Sequence, residues 1–155
     1  MLRDRLIVSL AFGLVAACAG PVPGEQEIPL ASLEQFERRV QPHLDARCAS
    51  GGCHGRAERP LSFFSPGTYR ADPARTYLDE ALTPFEIEEN ARRLSAFALE
   101  TNGIDSLAVR KPLATSEGGV WHDGGEIFPD PNDLACLALT QWLDARESAL
   151  DGGAP

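Results

Sequence analysis

The stretch Arg47-Cys48-Ala49-Ser50-Gly51-Gly52-Cys53-His54-Gly55 sets two thiols and an imidazole in one short segment. Two cysteines followed at once by histidine are what c-type haem attachment requires. Each sulfur adds to a haem vinyl group, and the next residue's imidazole reaches the iron from the same turn of chain. The spacing here is Cys-x4-Cys-His, two residues wider than the usual Cys-x2-Cys-His. Gly51 and Gly52 accept backbone angles that other residues avoid, so the added length can be looped out there. Two other chemistries draw on the same residues. In an oxidising compartment Cys48 and Cys53 can close a small disulfide loop, leaving His54 at the surface of a haemless binding domain. A zinc ion can be held by Cys48, Cys53, His54 and either His43 or His122, although the neighbours Cys53 and His54 tend to point apart.

Upstream of this segment, Ser32-Leu33-Glu34-Gln35 has a capping-box pattern, and Phe36, Val40 and Leu44 follow at helical spacing up to Arg47. The spacing predicts a first helix, with Pro42 kinking its last turn or ending it early. Downstream, residues 55–72 carry Pro60, Pro66, Gly67 and the pair Phe63-Phe64, and read as loop with buried aromatics. Asp72-Pro73 caps a short helix through about Ala81. Thr83-Pro84-Phe85-Glu86 is a strong start signal, with Ile87, Ala91, Leu94 and Ala98 on one face behind it. Asn102-Gly103 ends that region, and Leu107-Ala108-Val109 reads as a short extended stretch. Residues 115–131 form a Gly-rich loop. A last helix is expected from about Asp133 to Ala149, its buried stripe traced by Leu134, Leu137, Ala138, Gln141, Trp142 and Ala145. The fold class is all-α.

The chain's beginning has a different composition. Met1-Leu2-Arg3-Asp4-Arg5 is a short charged start, and an apolar run from Leu6 to Ala17 is interrupted only by Ser9. Such a run is short for a bilayer span and reads as an export signal. It ends in Leu14-Val15-Ala16-Ala17-Cys18, which resembles the bacterial lipobox, where the cysteine is lipidated and becomes the new N-terminus. The resemblance implies a lipoprotein signal peptide over 1–17 and a lipid anchor at Cys18. Ala19 stands where an inner-membrane retention signal would place Asp, which implies the outer membrane, facing the periplasm. Residues 18–29, with three prolines, form a lipidated tether. The folded domain then spans 30–150, and 151–155 form a disordered tail.

Over all 155 residues, 43% apolar and 24% charged, the composition suits one compact domain and excludes a large multidomain enzyme. Fourteen basic against 23 acidic side chains give a net charge of −9, which becomes −10 once Arg3, Arg5 and Asp4 leave with the signal. No Lys/Arg cluster is long enough to track a phosphate backbone, so nucleic acid is excluded as a partner. An acidic domain is steered instead toward a basic face on another protein.

With these parts in view, residues 36–143 resemble a single-haem cytochrome c domain of exported bacterial proteins. The resemblance rests on Val40-x-Pro42 leading into Cys48…Cys53-His54-Gly55, then Arg110-Lys111-Pro112-Leu113, Gly118-Gly119-Val120-Trp121-His122-Asp123-Gly124-Gly125 and a closing helix with Trp142. It implies that first and last helices cross beside one covalently bound haem c, with Phe36 and Trp142 meeting at the crossing. It also implies Cys48 and Cys53 as covalent anchors and His54 as the proximal iron ligand. Such a protein is a carrier of single electrons more than a catalyst.

The distal ligand follows from what the chain contains. Met1 is the only methionine and leaves with the signal, so a His/Met pair is excluded. His122, in a Gly-rich loop able to approach the opposite haem face, is the expected distal ligand, with His43, Lys111 or an open position as alternatives. His43 otherwise reads as a hydrogen-bonded histidine of the first helix's apolar face, and Lys111 as a solvated lysine that must lose its proton to bind iron. Cys136 reads as a small buried apolar residue. Glu86, Glu88 and Glu89 read as the solvated start of a helix, where acids oppose the macrodipole, and indicate no catalytic carboxylate pair. No nucleotide fingerprint or nucleophile triad is present.

Overall fold

The computed structural model describes residues 32–98 and 103–151, with side chains up to 145. The expected export signal, the expected lipid anchor at Cys18 and the expected tether lie outside the described residues, as do residues 152–155. The described chain is helical, with two isolated β-bridges, Ser65 with Tyr69 and Leu113 with Phe128. No helix among the described residues is long and apolar enough to cross a membrane.

Helix α1 spans residues 33–48 and starts where Ser32 Oγ accepts from the Gln35 N–H at 3.3 Å. Two wide, π-type turns, Phe36–Val40 and Leu44–Cys48, alternate with ordinary α turns in this helix. The core residues Phe36, Val40 and Leu44 recur every fourth position, and in a 3.6-residue helix such a series drifts by about 40° per step. Wide turns take up part of that drift and keep the series, continued by Cys48, on one side. Pro42 does not stop the helix, which runs on to Cys48. It follows a wide turn in which Gln41 N–H reaches back to Phe36 C=O, so the backbone is already opened where its ring needs room.

Helix α2, Pro84–Phe97, begins with a complete capping box between Thr83 and Glu86, and Ile87, Ala91, Leu94 and Ala98 are buried as the periodicity predicts. Glu86 is not solvated: it is 1% exposed and pairs with the buried Arg70. Arg70 Nε and Nη2 each reach Glu86 at 2.9 Å, while Nη1 and Nη2 also donate to the Glu80 and Ala81 carbonyls. Those contacts explain why residues 72–81 form only the 3-10 turn Pro73–Arg75, capped by Asp72, and no longer helix. The carbonyls of Glu80 and Ala81 are held by Arg70, and Tyr77 is exposed with no core to face. Asn90 pins the intervening loop to α2 by exchanging two hydrogen bonds of 2.8 Å with the Phe64 backbone, and to α1 through Gln41.

Residues 107–109 are helical and not extended: α3, Leu107–Arg110, is started by Ser106, whose hydroxyl accepts from Ala108 N–H. Helix α4, Leu134–Asp151, takes in Asp151, expected in the tail. Its first turn is capped by Asp133 Oδ1, which accepts from Ala135 N–H at 2.9 Å. The buried stripe of α4 is rotated from the expected one. Ala135, Cys136, Leu139, Trp142 and Leu143 face the core, while Leu134 is 73% exposed and Gln141 and Ala145 face outward. The core takes Cys136 and Leu139 because α4 packs against both α1 and the Gly103–Asp105 turn. Phe36 and Trp142 meet with ring centroids 4.9 Å apart, and Trp142 Nε1–H donates to Ser32 C=O. Arg47 donates to both Asp133 oxygens at 2.9 Å, tying the end of α1 to the start of α4.

Candidate functional site

The end of α1, the segment after it and the loop after α3 surround a cavity of about 550 Å³, in the size range of small-molecule and cofactor sites. Leu44, Phe63, Leu94, Phe128 and Leu139 supply an apolar floor, and Phe97, Leu107 and Trp121 supply partly exposed apolar groups. Cys48, Cys53, His54 and His122 all line it, as do His43 and Lys111.

Helix α1 delivers Cys48, and the chain then turns sharply. Cys53 N–H and Gly55 N–H both donate to Ser50 C=O at 2.9 Å, and His54 N–H donates to Cys48 C=O at 3.0 Å. Gly55 packs so close to the Ala49 carbonyl that any Cβ there would overlap it. Gly51 and Gly52 contribute less than their type suggests: neither has a positive φ, and both are exposed. The widened cysteine spacing is absorbed by hydrogen-bonded turns with ordinary backbone angles.

His54 Nδ1 lies 2.7 Å from the Leu61 carbonyl, and His122 Nδ1 lies 3.0 Å from the Gly125 carbonyl. A carbonyl only accepts, so Nδ1 carries the proton in both rings, and in the neutral imidazole the lone pair sits on Nε2. A backbone carbonyl on the far nitrogen is a common way to fix the tautomer of a metal-binding histidine. The two rings are parallel to within 8°, with centroids 6.1 Å apart. Phe63 stands edge-on to His54 at 5.8 Å.

The His122 loop is stapled at its base. Ala114 N–H donates to Phe128 C=O, Ile127 and Phe128 N–H donate to Pro112 C=O, and Val120 N–H donates to Arg110 C=O. At the tip, Gly125 has φ +82° and donates to His122 C=O, while a Cβ at Gly124 would come within 2.8 Å of the His122 ring. Only glycine at 124 leaves the ring where it is.

Burial pushes the Cys48 thiol up to about 11, with Cys53 adding to the rise and Arg47 opposing it. Cys48, Cys53 and Cys136 are free thiols, and Cys136 is fully buried on α4, where burial again raises its pKa. A thiol that stays protonated is a slow partner in disulfide formation, because the thiolate is the attacking species. Among the described residues no group of three or more His, Cys, Asp or Glu is arranged to hold a metal ion. His43 is half-buried beside Leu44 and Arg47, not sealed in the core, and Lys111 is half-buried.

Three contributors carry no sequence pattern of their own: the Leu61 carbonyl, Phe63 and Arg59, which donates to the Gly52 and Cys53 carbonyls. Of these only Phe63 left a trace, as half of an aromatic pair in a loop that would otherwise be polar. Comparison with protein-family models, curated proteins and solved structures returns no match to this chain.

Proposed function

We propose that this chain is a c-type cytochrome-like electron carrier holding one covalently bound haem, exported and lipid-anchored at Cys18. The observation that carries the reading is the His54–His122 pair: parallel rings 6.1 Å apart, each with Nδ1 on a backbone carbonyl, at a cavity lined by both cysteines. Two imidazoles bound through Nε2 at about 2 Å to opposite sides of one metal have centroids about 6 Å apart. The 6.1 Å centroid separation matches that spacing, and the apolar walls suit a flat, hydrophobic ring.

In this reading Cys48 and Cys53 hold the haem covalently, His54 is the proximal ligand and His122 the distal one. When bound, haem supplies a one-electron ferric/ferrous couple. The Leu61 and Gly125 carbonyls orient the two rings and raise their basicity. The apolar floor excludes water and limits reorganisation around the charge that arrives. Two histidines set a lower potential than a His/Met pair. The Phe36–Trp142 contact agrees with the helix crossing that the cytochrome c resemblance implies. A net charge of −10 without residues 1–17 favours a redox partner with a basic face.

The test is expression of the full chain together with haem-attachment machinery, followed by a denatured mass and a reduced absorption spectrum. One added haem per chain that survives denaturation is expected. A colourless protein without the added mass overturns the reading and favours a haemless interaction domain.

A further inference from the structure

We propose that Arg59 is a positioning residue for covalent attachment, its guanidinium gripping the Gly52 and Cys53 carbonyls to close the widened gap between Cys48 and Cys53. The inference rests on the haem reading above and deepens it. Arg59 Nη2 donates to Gly52 C=O at 3.0 Å and Nε to Cys53 C=O at 3.1 Å. Gly52 is the last residue of the lengthened gap, and Cys53 is the second attachment residue.

The start of this loop is anchored, with Ala49 buried and its carbonyl accepting from Thr68 Oγ1 at 3.0 Å. At its tip a Cβ on Gly51 or Gly52 would meet no described heavy atom within 4 Å, so there hydrogen bonds hold the loop's shape. From inside, Ser50 C=O and Cys48 C=O take the Cys53 and His54 N–H groups. From the other side the fork of one guanidinium takes two successive carbonyls, which its planar, fixed N–H geometry suits. The same downstream segment then turns to His54, with the Leu61 carbonyl on Nδ1 and Phe63 N–H on the His54 carbonyl at 2.7 Å. Residues 59, 61 and 63 thus address Gly52, Cys53 and His54 from one strand of chain.

The chemistry that this positions is an addition. Each Sγ–H adds across a vinyl C=C: a carbon–sulfur bond forms at one vinyl carbon, the hydrogen goes to the other, and no electrons are gained or lost. Two such additions on one ring need both sulfurs held at a fixed separation. A wider gap makes that separation depend on whatever closes the loop.

The test uses the full chain produced with haem-attachment machinery, as wild type, Arg59→Met and Arg59→Lys. Iodoacetamide labelling after denaturation, read by peptide mass, gives the fraction of Cys53 left as free thiol. Arg59→Met is expected to raise that fraction severalfold with Cys48 still linked. It should also move the reduced α-band to longer wavelength, because one vinyl group stays conjugated with the ring. Arg59→Lys, which keeps a donor and the charge, restores linkage in part. Cys53 linked to the wild-type extent in Arg59→Met overturns the proposal. Arg59 is exposed, so the fold should persist. Should Arg59→Met lose its helical signal, Arg59→Lys carries the same comparison, and wild-type linkage in it overturns the proposal. If wild type takes up no haem, the haem reading fails by itself and the grip is read in the folded, haem-free protein. There Arg59→Met should raise the alkylation rate of Cys53 severalfold relative to Cys48, and equal rates in the two proteins overturn it.

Discussion

At the scale of single residues, the site depends on which nitrogen each histidine keeps free. His54 and His122 both commit Nδ1 to a backbone carbonyl, and each carbonyl comes from a residue within the same loop as the ring or the next one. The rings are therefore set before any ligand arrives, which is the arrangement that costs least on binding. His122→Ala removes one ring and leaves the Leu61–His54 contact intact. In the haem-loaded protein the ferric spectrum should change from low to high spin, and an unchanged low-spin spectrum would remove His122 as distal ligand. Much of this site was legible in the chain. Cys48, Cys53 and His54 fall within seven residues, and with Met1 the one methionine of the sequence few distal ligands come into question. The orienting groups were not legible. Leu61 meets His54 through its backbone carbonyl, and Arg59 meets the Gly52 and Cys53 carbonyls from several positions downstream, contacts that neither side-chain type advertises.

At the scale of elements, the Arg70–Glu86 pair joins the loop before α2 to its capping box. Burial alone would raise the Glu86 carboxyl, but donors from Arg70, Thr83 and Ala71 outweigh it and hold it down at about 2. Because the folded value lies below the unfolded one, the stabilisation is complete above the ordinary carboxylate range. It is lost as pH falls from about 4.5 toward 2, at up to about 1.4 kcal/mol per pH unit for one proton. Urea unfolding at a series of pH values should show that decline in wild type and a shallower one in Glu86→Gln. At neutral pH Glu86→Gln should cost about 3–5 kcal/mol, because it leaves the Arg70 charge buried and unpaired. A neutral effect would mean that water reaches Arg70. The helices themselves were legible where caps and periodicity agree, as in Thr83-Pro84-Phe85-Glu86 followed by Ile87, Ala91 and Leu94. They were misread where tertiary contacts decide. Asp72-Pro73 starts a turn that cannot lengthen while Arg70 holds the Glu80 and Ala81 carbonyls. The stripe of α4 is rotated, with Leu134 73% exposed and Ala135 and Cys136 taking the core positions in its first turn. Ser106 turned three residues that looked extended into helix by offering a cap.

At the scale of the whole molecule, the chain closes on itself where its first and last helices meet. Phe36 and Trp142 are 0% and 2% exposed, and the Trp142 indole N–H reaches back to Ser32 C=O at the very start of α1. A salt link at the other end, Arg47 to Asp133, holds the same two helices beside the cavity wall that carries Cys48. Loops fill most of the distance between these helices, so this contact has few substitutes. Trp142→Ala leaves a cavity in the core and should cost about 3–5 kcal/mol, a large share of the roughly 5–15 kcal/mol that a domain has in total. Trp142→Phe keeps an aromatic ring against Phe36 and removes the hydrogen bond, whose own net contribution is about 0.5–1.5 kcal/mol. Denaturant unfolding of the haem-free chain should therefore rank wild type, Trp142→Phe and Trp142→Ala in falling order of midpoint. A Trp142→Ala midpoint within error of wild type would mean that the fold closes elsewhere, with the cavity then held by the α1–Asp133 link and the loop staples alone.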